Sequence, residues 1–236
     1  MTFVNSDYLL YSRFGNLERV QQCLERGANP EATVNKQTAL HLACLAQAKP
    51  LIQFLIKTCP KLVNIEDALK RTPLAYLFGI GSYSCPVKKA DPDIYELFAQ
   101  AKADIAHKDP CDETILHYCA RAEENNELLP RILQCLDERV SESVKGVLGE
   151  PLGGPSFAIE RTKKHELLNT QSSASICTPL EEAIRCDNIK AVKLFSEDTD
   201  LSLEGVCGKS LKEELDEFNR KHAAKPSDLE QKEDQY

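Results

Sequence analysis

The sequence predicts an all-α fold: stacked helix-turn-helix units joined by short hairpin loops and interrupted by an insertion. Three observations predict it. A phrase that begins with Thr and runs into small apolar residues recurs, as TALHLACLAQ from Thr38, TPLAYLFGIG from Thr72, TILHYCARAE from Thr114 and TPLEEAIRCD from Thr178. The step from Thr38 to Thr72 is a period in the low thirties, which marks arrays built from helix pairs. Beyond each phrase a second stretch carries apolar residues at i, i+3 and i+4, the stripe of a helix buried along one side.

The first unit opens at Ser6, one such period before Thr38, and SDYLLYSRFGNLERVQQCLERGANPEA follows the register without a gap. Thr or Ser at each opening accepts hydrogen bonds from the free backbone N–H groups of the first turn. Pro73 and Pro179 suit the next position, where a missing N–H costs nothing. Breaks fall near Gly15, Gly81 and Asp187. The second helices then carry Leu17, Val20 and Leu24; Leu51, Phe54 and Leu55; Ile94, Leu97 and Phe98; Leu128, Leu129, Ile132, Leu133 and Leu136; and Ile189, Val192, Leu194 and Phe195. Gly27, in RGANP, is placed to cap the first of them. Neither helix of a unit hides its apolar face alone, so neighbours must stack. Ser210 follows Thr178 by the same period, and GKSLKEELDEF opens a degenerate last unit.

Together these units resemble ankyrin repeats. The resemblance is carried by Thr38, Leu40, His41, Leu42 and Ala43; by Thr72, Pro73 and Leu74; by Thr114, Leu116 and His117; and by Thr178, Pro179 and Leu180. GNLERVQQCLERGANP supplies the middle and end of the first unit. It implies that His41 and His117 are structural groups, bonded to backbone and tying adjacent repeats. Ala75 and Glu181 stand where that histidine is expected, so their junctions are expected to be looser.

The wider steps, from Thr72 to Thr114 and from Thr114 to Thr178, call for insertions. In the third unit Ser82–Asp91 is the extra segment, a surface loop between its two helices. The chain then divides into four repeats over 1–139, an interruption over 140–177, a fifth repeat with a capping helix over 178–222, and a polar, disordered tail over 223–236. Two readings of the interruption stay open. It is an insertion of about thirty residues with at least one helix, since longer structureless loops are uncommon. Alternatively it is a decayed repeat, Glu150-Pro151-Leu152 being the remnant of Thr-Pro-Leu and Gly153, Gly154 and Pro155 its breakers.

Composition limits the function. A net charge of −8 argues against a phosphate-backbone binder, which needs a basic face. No apolar run approaches the roughly 18–20 residues that span a bilayer. MTFVNSDYLL lacks the positive flank and apolar core of a secretory signal. The expectation is a monomeric cytoplasmic protein that engages neither nucleic acid nor membrane and needs no metal or cofactor. Of the ten cysteines no two form a Cys-x-x-Cys pair, and free Cys serves as a small hydrophobe. GVCGKSL, 205–211, lacks the first glycine of a phosphate loop and reads as a turn. Cys111, His117 and Cys119 lack a fourth convergent ligand for zinc.

The ankyrin resemblance implies a protein partner, bound by the concave side and the hairpin tips. Positions after the repeated phrase place Phe14, Leu45 and Ile80 as an apolar stripe, with Arg13, Arg121 and Arg185 beside it for partner carboxylates. The same three apolar residues equally suit packing between repeats. Candidates at the hairpin tips are Asn35, Lys36, Leu69, Lys70, Asp109, Cys111 and Asp112. Irregular arrays with odd insertions and a Glu-rich end, SDLEQKEDQY, resemble effectors that intracellular bacteria deliver into host cells. That likeness implies an adaptor acting on a host protein in the host cytoplasm. The alternative from another class is a thiol enzyme in the interruption, with Cys177 as nucleophile and His165 as base.

Overall fold

A computed structural model of the chain describes residues 3–78, 89–136 and 163–223. Those residues are mostly helical. The helices are α1 (Phe3–Arg13), α2 (Leu17–Glu25), α3 (Ala39–Leu45), α4 (Lys49–Thr58), α5 (Pro73–Leu77), α6 (Pro92–Gln100) and α7 (Ile115–Ala120). They continue with α8 (129–136), α9 (Lys163–Leu168), α10 (Pro179–Arg185), α11 (Ile189–Ser196) and α12 (Leu211–Ala223). One antiparallel ladder pairs β1 (Thr33–Val34) with β2 (Gln37–Thr38).

Thr38, Thr72, Thr114 and Thr178 each hold extended backbone immediately before a helix. At Thr178 the cap is reciprocal: Oγ1 accepts from the Glu181 N–H at 3.3 Å, and Glu181 accepts from the Thr178 N–H at 2.8 Å. Ser210 and Glu213 repeat this pattern before α12. Ser6 differs. It lies inside α1 because Phe3, Val4 and Asn5 carry no helix breaker and continue the helix ahead of it.

The helices stop by a shared device. Gly15, Gln47 and Asp187 close first helices with positive φ, and Gly27 and Lys102 close second helices likewise. In each case that residue's N–H bonds three residues back and the following N–H bonds five back, which satisfies the last free carbonyls. After Gly15, Gln47 and Asp187 the chain enters its next helix within two residues.

Packing runs in series. α1 packs on α2 and α3, α3 on α4 and α5, and α10 on α7, α11 and α12. First helices bury Tyr8, Leu40, Leu74, Leu116 and Leu180; second helices bury Val20, Ile52, Phe98, Ile132 and Phe195. α7 packs directly on α10, and the Ser173 N–H bonds to the Cys111 carbonyl at 2.7 Å. Among the described residues, therefore, no helix pair stands between the unit opened by Thr114 and the one opened by Thr178. In the interruption, α9 buries Leu167 and Leu168. Gly81, the segment 82–88, residues 137–162 and the tail 224–236 lie outside the described residues, as do Phe157, Ile159 and the Glu150-Pro151-Leu152 remnant. No described helix is long and apolar enough to cross a membrane. The described cysteines are free thiols.

Candidate functional site

Hairpins that precede the first helices line up side by side. Lys36, Lys70, Asp112, Ile176 and Gly208 each have positive φ, and each lies two residues before the Thr or Ser that opens a helix. The Ala68 N–H bonds to the Asn35 carbonyl at 3.3 Å, and His107 Nε2 donates to the Lys70 carbonyl at 2.7 Å. These bonds hold Leu69 and Lys70 beside Asn35 and Lys36.

Two aspartates build the second and third hairpins. Asp67 accepts from the N–H groups of Leu69 and Arg71 at 2.7 and 2.9 Å, and from the Tyr76 hydroxyl. Asp109 accepts from the N–H groups of Cys111 and Glu113 at 2.8 and 3.0 Å, and from the Tyr118 hydroxyl at 3.1 Å. Burial pushes the Asp67 carboxyl up, but the Tyr76 hydroxyl and the Arg71 N–H outweigh it and leave it below the usual range. Asp109 thus departs from the expectation of a tip free to meet a partner: its oxygens hold the turn. The Asp–Tyr pairing is absent from the sequence expectations. Its signal is Asp five residues before Thr and Tyr four after, present at Thr72 and again at Thr114.

Beside the first hairpin, α1 presents an open cavity of about 290 Å³. Leu9, Leu10, Val34 and Leu42 form its apolar walls, and Arg13 and Asn35 supply polar groups. Leu10 and Val34 escape selection by sequence position, because they lie ahead of the turn positions that the repeat register marks. Phe14 follows at the end of the same helix and is 72 % exposed; Leu69 is 56 % exposed on the next hairpin. Arg13, Asn35, Lys36, Lys70 and Asp112 are also exposed.

Other expected site residues fall elsewhere. Leu45 is only partly exposed and packs against the core, because α3 is clasped between α1 and α5. Ile80 lies outside the described residues. Arg121 is not offered to a partner: its side chain is 11 % exposed and is taken by two internal carboxylates. It forms a bidentate pair with Glu113, and its Nε donates to Glu182 at 2.7 Å. Burial opposes its charge, but the hydrogen bonds of Glu113 and Glu182 more than restore it. Arg185 is exposed, with one guanidinium nitrogen 3.0 Å from Cys177 Sγ.

His41 and His117 are linking groups. In each, Nδ1 accepts from the N–H of the capping Thr at 3.1 Å. Nε2 then donates across to the next unit: His41 to the Arg71 carbonyl at 3.0 Å, and His117 to the Cys177 carbonyl at 3.2 Å. Both rings are buried, and burial lowers their basicity, for His117 to about 4. The neutral tautomer is the one this geometry requires.

The thiol alternative meets a different environment. His165 Nδ1 faces the Asp198 carbonyl at 2.9 Å, while the Cys177 thiol contacts the Ser175 carbonyl and Arg185. Burial raises the Cys177 thiol above its ordinary range despite Arg185, which keeps it protonated rather than nucleophilic. Among the described residues no His, Cys, Asp and Glu groups cluster as metal ligands. Gly205–Ser210 forms a hairpin, with Gly208 at positive φ and a bridge between Glu204 and Ser210. No protein-family model matches the sequence, and no curated protein matches it.

Proposed function

We propose that this chain is an ankyrin-type solenoid serving as a non-catalytic, monomeric adaptor. It binds a partner protein along the groove between the first helices and the hairpin tips. The observation that carries the reading is that Leu10 and Val34 are exposed on the walls of an open cavity, with Phe14 exposed just beyond the helix that carries Leu10 and Leu69 exposed on the next hairpin. A folded chain gains nothing by leaving large apolar groups together in water, and such patches mark interaction surfaces. The recurring Thr caps, the His links and the period in the low thirties support the ankyrin assignment.

The test is a Leu10→Asp/Phe14→Asp/Leu69→Asp variant compared with the parent in affinity capture from eukaryotic cell lysate. These side chains are exposed, so the expected change in stability is within about 0.5 kcal/mol each. The adaptor reading expects the folded variant to lose proteins that the parent retains. Identical capture by both would remove the groove as the binding site. Eukaryotic lysate also suits the effector reading, in which the partner is a host protein.

A further inference from the structure

The groove's charges identify the chemistry of what it binds. Some cations of this acidic chain pair with carboxylates: Lys49 with Asp93, Lys61 with Glu31, Arg71 with Asp67 and Lys209 with Glu217. Arg13, Lys36 and Lys70 make no ion pair among the described residues. Arg13 stands on the rim of the apolar cavity, Lys36 on the hairpin that forms its wall, and Lys70 on the hairpin stitched beside it. Among the described residues no carboxylate lines the cavity.

We propose that this groove takes an acidic, amphipathic segment of a partner protein, with a Leu- or Phe-sized side chain in the cavity and carboxylates on Arg13, Lys36 and Lys70. This rests on the groove-binding reading above and adds the partner's chemistry to it. A cavity of about 290 Å³ with walls of Leu9, Leu10, Val34 and Leu42 demands an apolar side chain. Arg13 on its rim, with Lys36 and Lys70 on the two hairpins beside it, favours negative charge on the same ligand. A nucleic acid is disfavoured, because three cations on a chain of net charge −8 make too small a footprint for a phosphate backbone.

Selection of a displayed library of short random peptides on the full chain tests this. Selected peptides are then titrated by fluorescence polarisation against the parent, an Arg13→Glu/Lys36→Glu/Lys70→Glu variant and a Leu10→Asp variant. The expected peptides are enriched in Asp or Glu together with Leu or Phe. Their affinity falls about tenfold in the charge-reversal variant and weakens as salt rises. Peptides that lose affinity in Leu10→Asp but carry no acidic enrichment overturn the proposed chemistry and leave the groove as a binding site. Acidic peptides unaffected by both variants, or no binders at all, overturn both. Sedimentation of the chain without peptide adds a further arm: a salt-sensitive dimer abolished by the charge reversal puts a second copy in the groove and overturns a separate partner. Unfolding midpoints of both variants equal to the parent's keep every loss attributable to contact rather than to folding.

Discussion

At the scale of single residues, the two buried links across successive units set the chemistry of stability. His117 accepts at Nδ1 and donates at Nε2, so only its neutral form fits. The unfolded ring takes up its proton as pH falls through 6.5, the folded ring only near 4, because burial disfavours the charge. Between those values the unfolded state binds more protons. Its contribution is therefore complete above the unfolded value and is lost as pH falls toward the folded one. Urea unfolding across that window should show His117 contributing a loss of about 3 kcal/mol. His117→Asn should destabilise by about 2–4 kcal/mol at neutral pH and flatten this dependence; an unchanged slope would remove the ring as its source. Arg121 gives a second expectation. Arg121→Met leaves Glu113 buried without its cation and Glu182 with only Arg185 at 3.9 Å, and should cost about 3–5 kcal/mol at neutral pH. A neutral effect measured by thermal unfolding would contradict the buried triad.

At the scale of elements, the two glycine turns separate backbone conformation from packing. Gly15 has φ +69°, and a Cβ there would meet the Ala48 Cβ at 2.6 Å; Gly27 has φ +86°, with nothing within 4 Å. Gly27→Ala should cost about 1 kcal/mol for the left-handed conformation alone, and Gly15→Ala measurably more. Equal losses in parallel urea titrations would show that α1 and the turn after α3 do not pack as described. These turns were legible in the sequence because glycine marks them, and the break near Asp187 was legible without one; Gln47 and Lys102 fill the same role with no such mark. Thr phrases and apolar stripes also announced most helices, since capping and burial act locally. What stayed hidden was tertiary. Nothing local shows that Arg121 is taken by Glu182, far along the chain, or that Asp109 faces inward to Tyr118. The interruption was ambiguous for the same reason: only the direct packing of α7 on α10 shows that the flanking units are neighbours. Leu10 and Val34 come together only through the fold of α1 against the first hairpin.

At the scale of the whole molecule, polar contacts among the described residues carry the stack past the interruption. They include His117 to Cys177, Arg121 to Glu182, Ser173 to Cys111, and the Asn188 side chain to the carbonyls of Cys119 and Ala120. Buried links of this kind make neighbouring units unfold together. Urea unfolding followed by circular dichroism and by hydrogen exchange should therefore give one transition in the parent. His117→Asn/Asn188→Ala should split it in two; two transitions already in the parent would mean that the halves are independent. The proposed binding function rests on Leu10, Phe14, Val34 and Leu69, which are exposed. Hydrogen exchange of the full chain, with and without a partner captured from lysate, tests that most directly. Protection confined to 6–15, 33–37 and 67–71 is the predicted result. Protection on α2 and α4, with the groove unchanged, would contradict it.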